Sequence, residues 1–485
     1  MLFNSYIFIL CFLPIVMMGY YGCNHWKKEE LAKWFLIIAS LLFYGYFDVR
    51  YLPVILASIC FNYGFSRILL KKNEKYKRPI LGAGIACNVG LLFYIKYWNF
   101  FLGNVNVIFG SSLEMKQLLL PLGISFFTFQ QIAYLVDSYR GETAEYSFTD
   151  YALFVTFFPK LSMGPIVLHH QLMPEFHKKE NKVLNQTRLS LGIWWFAVGL
   201  AKKVLMADTL AKGVDFAYAN VEVMSSLDVV VAAILYTLQI YFDFSGYCDM
   251  ACGIGEMFQI SLPRNFDSPY KATSITEFWN RWHMTLSGFL QKYIYFPLGG
   301  SRKGMVRSIV NILIVFLVSG IWHGAAWTFI AWGLLHGVAR VLHKIFQKSW
   351  DRFPKVIRWF VTFVFLNVTW IFFRAESLTQ AEILLKKVFT SFSWKFHSGL
   401  MQQFDVLEFT YIEEHVAPLM NLVKTYPQIH LLIVMLIGLF VALVPKNLYE
   451  KEFKPGMGNA LASVVLLVWC ILSFSGVSTF LYFNF

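Results

Sequence analysis

The chain has 485 residues, of which 57% are hydrophobic and 15% charged, with a mean hydropathy of +0.53. A typical soluble protein carries about 25% charged residues and could not hide this much apolar surface, which excludes a string of soluble domains. The excess of 42 basic over 29 acidic residues, a net charge of +13, sits in short clusters between apolar runs. That is the pattern of loops held on the cytoplasmic side, not of a nucleic-acid groove.

The 49 Phe, 25 Tyr and 15 Trp residues suit rings that face lipid and anchor at its interfaces. The sequence is apolar from Met1 with no basic n-region and no small-residue cleavage site, so its first run reads as a membrane helix rather than a removed signal peptide. Runs of membrane-spanning type, about 20 residues each, fall near 2–20, 34–48, 51–70, 80–101, 118–136, 151–168, 189–206, 227–243, 308–322, 325–342, 356–373, 429–444 and 459–483. They predict an all-α polytopic membrane protein of 11–13 transmembrane or re-entrant helices, several too short to span alone. The chain reads as one integral membrane domain, with N-terminal helices over 1–117, a catalytic core over 118–345 and C-terminal helices over 346–485.

Basic loops set the orientation. KKNEKYKR at 71–78, the cluster Arg302, Lys303 and Arg307, and the run from Arg340 to Arg358 all read as cytoplasmic. The loop 375–428, with six acidic and four basic residues, fits the outside, as does the N-terminus. The acidic loop Asp137–Asp150 then falls on the wrong side unless a neighbouring segment re-enters the membrane. Pro121 and Gly123, and Pro159, Gly164 and Pro165, predict helix breaks at membrane depth, tolerated where backbone is buried in protein or lines a cavity. The seven cysteines (11, 23, 60, 87, 248, 252 and 470) show neither C-x-x-C nor Cys/His spacing for zinc, so no disulfide framework and no metal are expected.

From Tyr241 to Lys303 the composition turns polar but stays aromatic: YFDFSGYCDMACGIGEMFQISLPRNFDSPYKATSITEFWNRWHMTLSGFLQKYIYFPLGGSRK. Intramembrane ionisable groups are expensive and usually functional; the alternative is an aromatic linker. Ser274 and Glu277 predict a capping box that starts a helix. On it Glu277 and Arg281 would pair, and Asn280, His283 and Ser287 would form one polar stripe between Trp279 and Trp282. Asp243 and Asp249 are too few for a calcium or magnesium cage and read mainly as structural partners for Lys or Arg. A second concentration is SGIWHGAAW, where His323 lies roughly 22 Å along a helix from Ser308, deep in the membrane. A single such histidine equally suits a hydrogen bond across helices. His336, Arg340 and His343 share one face, with Arg340 and His343 read as a helix end reaching the interface. A buried histidine can take a proton from a hydroxyl, and a water-poor site strengthens any donor aimed at an oxyanion. Trp279, Trp282, Trp322, Asn280 and Arg281 are the candidate donors, and Asn265 is a further tunnel candidate with Asp243. No G-x-S-x-G, GxxxxGK[ST] or H-E-x-x-H motif is present.

The blocks DFSGYCDMACGIGEMF, LPRNFDSPYKATSITEFWNRWHMTLSGFLQKYIYFPLGGSRKG and SGIWHGAAWTFIAWGLLHG, with FFPKLSMGPI upstream and the ending FLYFNF, closely resemble the membrane-bound O-acyltransferase (MBOAT) family. Within it they are similar to the bacterial branch of AlgI-like alginate O-acetyltransferases, with the teichoic acid D-alanyl transferases more distant. The resemblance implies His323 as the catalytic residue, His283 as the second, and a funnel or tunnel whose narrow part they approach from opposite sides. It implies an acyl thioester, by analogy acetyl-CoA, at the cytoplasmic mouth, where Arg302 and Arg307 could attract its phosphates, and no permanently bound cofactor. The acetyl group would serve O-acetylation of an extracytoplasmic polysaccharide. Transfer would be direct, through a His-acyl intermediate, or through a partner protein. Expected partners are the bilayer, a secreted SGNH-hydrolase-like acetyltransferase and a polysaccharide synthase complex, at a bacterial inner or plasma membrane. One departure is Met163, where the family more often has Ala before the Gly. The competing readings are D-alanyl transfer to teichoic acid, a proton-coupled transporter, for which the two related halves expected are not seen, and a structural scaffold.

Overall fold

A computed structural model describes residues 1–72, 74–450, 452–474 and 479–481. Residues 482–485 of the FLYFNF ending, and part of the last expected span, lie outside the described residues. All regular structure among the described residues is helical. The first helices are α1 (Phe8–His25), α2 (Glu29–Gly45), α3 (Tyr51–Lys71) and α4 (Lys75–Phe109). Next come α5 (Ile124–Arg140), α6 (Phe148–Thr156), α7 (His169–His177), α8 (Gln186–Ala219) and α9 (Ser226–Met257). The polar block contributes α10 (Ile275–Arg281) and α11 (Met284–Leu290). The chain continues through α12 (Gly304–His323), α13 (Trp327–Trp350), α14 (Lys355–Arg374), α15 (Leu378–Thr390), α16 (Ile429–Leu443) and α17 (Met457–Leu472). Eight helices among the described residues are long and apolar enough to cross a membrane, which makes the chain a polytopic membrane protein.

The centre is α9, a 32-residue helix buried along most of its length. Between helices in lipid there is no hydrophobic drive, so close packing of small residues must hold them. Helix α8 runs antiparallel to α9 and crosses it at two glycine pairs. A Cβ added to Gly199 would sit 2.6 Å from the Gly246 carbonyl oxygen, and one on Gly253 would sit 2.6 Å from that of Gly192. The backbones touch there because no side chain intervenes.

Ion pairs resolve the orientation of the middle of the chain. Arg67 reaches Glu145 at 3.5 Å, and the Arg78 guanidinium donates to the Tyr139 hydroxyl at 3.3 Å, so the loop after α5 lies on the face of the basic loop 71–78. The expected span at 151–168 is instead a re-entrant hairpin. Helix α6 enters from that face, the chain turns at Phe157–Gly164, and α7 returns. Asp150 at the start of α6 and His177 at the end of α7 meet at 3.2 Å. The prolines and glycines stop the helix after Thr156, and the acidic loop therefore stays on the basic face. Likewise the expected span at 118–136 becomes helical only at Ile124. Gly123 there has φ of +70°, and a Cβ on it would lie 2.6 Å from the Leu161 carbonyl oxygen. The opposite face carries the Arg374–Asp215 pair at 2.8 Å.

The glycine crossing gives a test. Gly246→Ala places a methyl against backbone that cannot yield, an overpacking cost of about 1–3 kcal/mol, whereas Gly64→Ala meets open space. The thermal midpoint in detergent is expected to fall for G246A and to stay at the wild-type value for G64A.

Candidate active site

The polar block does not form one helix. Ser274 Oγ accepts from the Glu277 N–H at 3.1 Å and starts α10, while the Glu277 carboxylate turns to the Thr273 N–H at 2.8 Å and to Arg281. Burial alone would raise the Glu277 carboxyl, but the Thr273 backbone and hydroxyl donors and the Arg281 cation hold it below its ordinary range. The helix ends at Arg281, Trp282 is extended, and His283 adopts left-handed backbone with φ of +44°. The expected stripe of Asn280, His283 and Ser287 on one helix therefore does not exist. A non-glycine residue held at positive φ stores strain that the surroundings must over-determine.

Asn265 does this. Its backbone carbonyl accepts from the Met284 N–H at 3.0 Å. Its side-chain Oδ1 accepts from the Thr285 N–H at 3.1 Å and the Thr285 hydroxyl at 2.9 Å, and lies 3.2 Å from His283 Nδ1. Because an N–H already fixes this atom as an acceptor, His283 Nδ1 must carry the proton. Nε2 is then the basic nitrogen, and it is buried with no hydrogen-bond partner among the described residues.

His323 is the last residue of α12 and is 3% exposed. Its ring centroid lies 6.5 Å from that of His283, with Trp322 beside both, at 4.9 Å from His323 and 6.0 Å from His283. Trp332 at 5.0 Å and Phe373 at 5.2 Å complete an aromatic wall around it. His323 and Trp322 line a cavity of about 220 Å³ with Lys96, Pro121, Ser125 and Phe126. Phe47, from the connection between α2 and α3, and Tyr51, the first residue of α3, also line it, so it reaches toward the face opposite the basic loops. His283, by contrast, belongs to the block whose Lys292 pairs with Glu142 at 2.9 Å on the basic face.

The other candidates separate. The Trp279 indole N–H donates to His336 Nδ1 at 3.2 Å, and that of Trp322 to the Ser125 carbonyl at 3.4 Å. Trp282 packs on Phe266 and Trp370. Asn280 is exposed, and Arg281 is occupied by Glu277 and Asp267, so neither joins the histidines. Asp243 pairs with Lys203 at 2.8 Å and Asp249 with Lys202 at 2.6 Å, as structural partners of lysines. His336 is fully buried between Trp279 and Trp332. His343 bonds Thr276 at 2.8 Å. On the basic face Asp137, His169 and His170 bring their ligand atoms within 4.8 Å of one another, but the Asp137 carboxylate also holds Lys292 and Tyr293.

Two residues escaped sequence reasoning. Trp332 places an indole against His323, and its buried N–H has no acceptor among the described residues. Lys96 donates to the Trp322 carbonyl at 2.9 Å, the His323 carbonyl at 3.0 Å and Ser125 Oγ at 3.3 Å. A signal for it was present, since it is the one charged residue between Arg78 and Glu114.

Two buried histidines thus meet where helices break inside a polytopic bundle. Comparison with known proteins gives it a family. The model of the MBOAT, membrane-bound O-acyltransferase family, matches residues 110–379. The chain is 39% identical to the peptidoglycan O-acetyltransferase of Helicobacter pylori, covering 100% of this chain and 98% of that protein. It is 35% identical to the probable alginate O-acetylase AlgI of Pseudomonas aeruginosa over 81% of this chain and 76% of that one. The teichoic acid D-alanyltransferase of Bacillus subtilis is 28% identical over 48% of this chain and 60% of its own length. The chain belongs to the membrane-bound O-acyltransferase family. It is an O-acyltransferase and a multi-pass protein of the bacterial inner membrane.

The Asn265 clamp makes a prediction about acyl transfer. N265A frees the His283 ring and is expected to slow turnover about tenfold or more. Because it acts through His283, the N265A/H283A double mutant should be no slower than H283A alone, a non-additivity read from steady-state kinetics.

Proposed function

We propose that this protein takes an acetyl group from acetyl-CoA at the basic, cytoplasmic face and delivers it for O-acetylation of an extracytoplasmic polysaccharide. The observation that carries this reading is the arrangement of the two histidines. His323 ends a cavity directed away from the basic face, and His283 hangs from the polar block on that face, 6.5 Å away between centroids. His323 is the general base on the accepting hydroxyl. As it removes the proton, the hydroxyl oxygen bonds to the acyl carbon, the carbon–sulfur bond breaks, and the thiolate leaves to be protonated as free thiol. His283 Nε2 and the Trp332 N–H are buried without partners among the described residues, and the indole, 5.0 Å from the His323 ring, is the donor assigned to a tetrahedral oxyanion.

The accepting hydroxyl belongs to the polymer or to a secreted partner that passes the acetyl on. Whole-length likeness to a peptidoglycan O-acetyltransferase favours peptidoglycan as the polymer, ahead of alginate. The D-alanyl transferases are matched over a smaller share of the chain, which supports acetyl over D-alanyl as the group moved.

Labelled acetyl-CoA given outside sealed proteoliposomes of the purified protein, with an acceptor polymer enclosed, is expected to yield labelled polymer. H323A should lower transfer by about 10²–10⁴-fold while the protein remains folded in the membrane. Polymer acetylation retained in H323A would remove the base assignment, and an active wild type that ignores acetyl-CoA would remove the donor.

A further inference from the structure

Lys96 lies within a 35-residue apolar helix, outside the part of the chain that the family model matches. Intramembrane lysines are costly and are kept where they serve a site. The helix around it widens into a π-turn over Phe93–Tyr97, a distortion often found at functional sites. This turn aims two consecutive side chains at the end of α12. Tyr97 donates to the Ile321 carbonyl at 2.7 Å, and Lys96 donates to the carbonyls of Trp322 and His323 at 2.9 and 3.0 Å. The last carbonyls of a helix have no partner within it and carry its partial negative charge. In a membrane they must be met by protein, and a cation meets them best. The remaining ammonium proton reaches Ser125 Oγ at 3.3 Å, so one group joins α4, α5 and α12 beside His323. No side-chain carboxylate is among the hydrogen-bond partners of this ammonium in the described residues.

We propose that Lys96 is the positioning residue of the catalytic histidine: its ammonium caps the C-terminus of α12 and thereby fixes where the His323 imidazole stands. It acts through the backbone of residue 323 and not on the reacting atoms. This rests on His323 being the working base, as proposed above. The cap itself can be read without any turnover.

The test uses full-length protein in nanodiscs and the variants K96M and K96R. In K96M, hydrogen–deuterium exchange across residues 318–326 is expected to rise about tenfold, with α9 unchanged, because local opening there no longer breaks a cap. Turnover should fall about 100-fold with the donor KM within about twofold, since a misplaced base costs rate and not binding. K96R, which keeps charge and donors, should recover protection and part of the turnover. Unchanged exchange at 318–326 in K96M, or turnover within about threefold of wild type, overturns the proposal. If K96M does not fold, K96Q replaces it: faster exchange at 318–326 supports the cap and wild-type exchange overturns it. If the wild type does not use acetyl-CoA, the donor assignment fails and the exchange measurement still decides the cap.

Discussion

Backbone hydrogen bonds cannot be left open in a bilayer, and this protein builds its site where its helices break. Open groups at the breaks are met by side chains from other segments. The Ile166 N–H in the re-entrant hairpin finds the Thr285 hydroxyl at 3.0 Å, and Thr285 in turn bonds Asn265, which clamps His283. The Phe158 N–H finds Ser40 Oγ at 3.1 Å, and the Leu122 carbonyl takes the Tyr44 hydroxyl at 2.8 Å. The end of α12 takes Lys96 and Tyr97. Helical breaks that would be defects singly become a rigid seam together. The two histidines sit on it because irregular backbone is what lets side chains from different helices converge.

Much of this was legible in the sequence, for identifiable reasons. Apolar length reports membrane helices directly, because the bilayer fixes the length. Pro159 and Gly164 reported the break in 151–168 but not that the chain turns back, since a short helix pair and a poor span have the same hydropathy. The contact between Asp150 and His177 carries that information, and it is nonlocal. The two histidines were visible as polar residues in apolar or aromatic surroundings. The polar stripe failed at Trp282–His283, where the Asn265 clamp meets the end of a helix that Ser274 starts with only half of the expected capping box. Lys96 was visible as an isolated charge, but its meaning depends on α12, more than 200 residues further on.

The same division explains why the candidate oxyanion donors changed. Sequence spacing can collect tryptophans near a histidine, but an indole has a single N–H, and whether it is spent depends on tertiary partners. Trp279 and Trp322 spend theirs on His336 and Ser125, whereas Trp332 does not. Counting satisfied donors is therefore a better guide to chemistry in this interior than counting aromatic residues.

On the proposed reading, the geometry also gives a second histidine a place where one base suffices. At 6.5 Å between centroids the rings are too far apart to bond each other and close enough to flank one carbonyl-sized group. The cavity at His323 reaches one face and the block holding His283 reaches the other. On the proposed reading, a thioester and a hydroxyl that never share a compartment need to meet only across this gap. Trp322, tied through Ser125 and flanked by Phe126 and Phe129 at ring distances of 5.1 and 5.4 Å, stands beside the gap. An aromatic wall of this kind keeps water from the acyl carbon. On that reading the acyl group crosses at the point where the two histidines face each other.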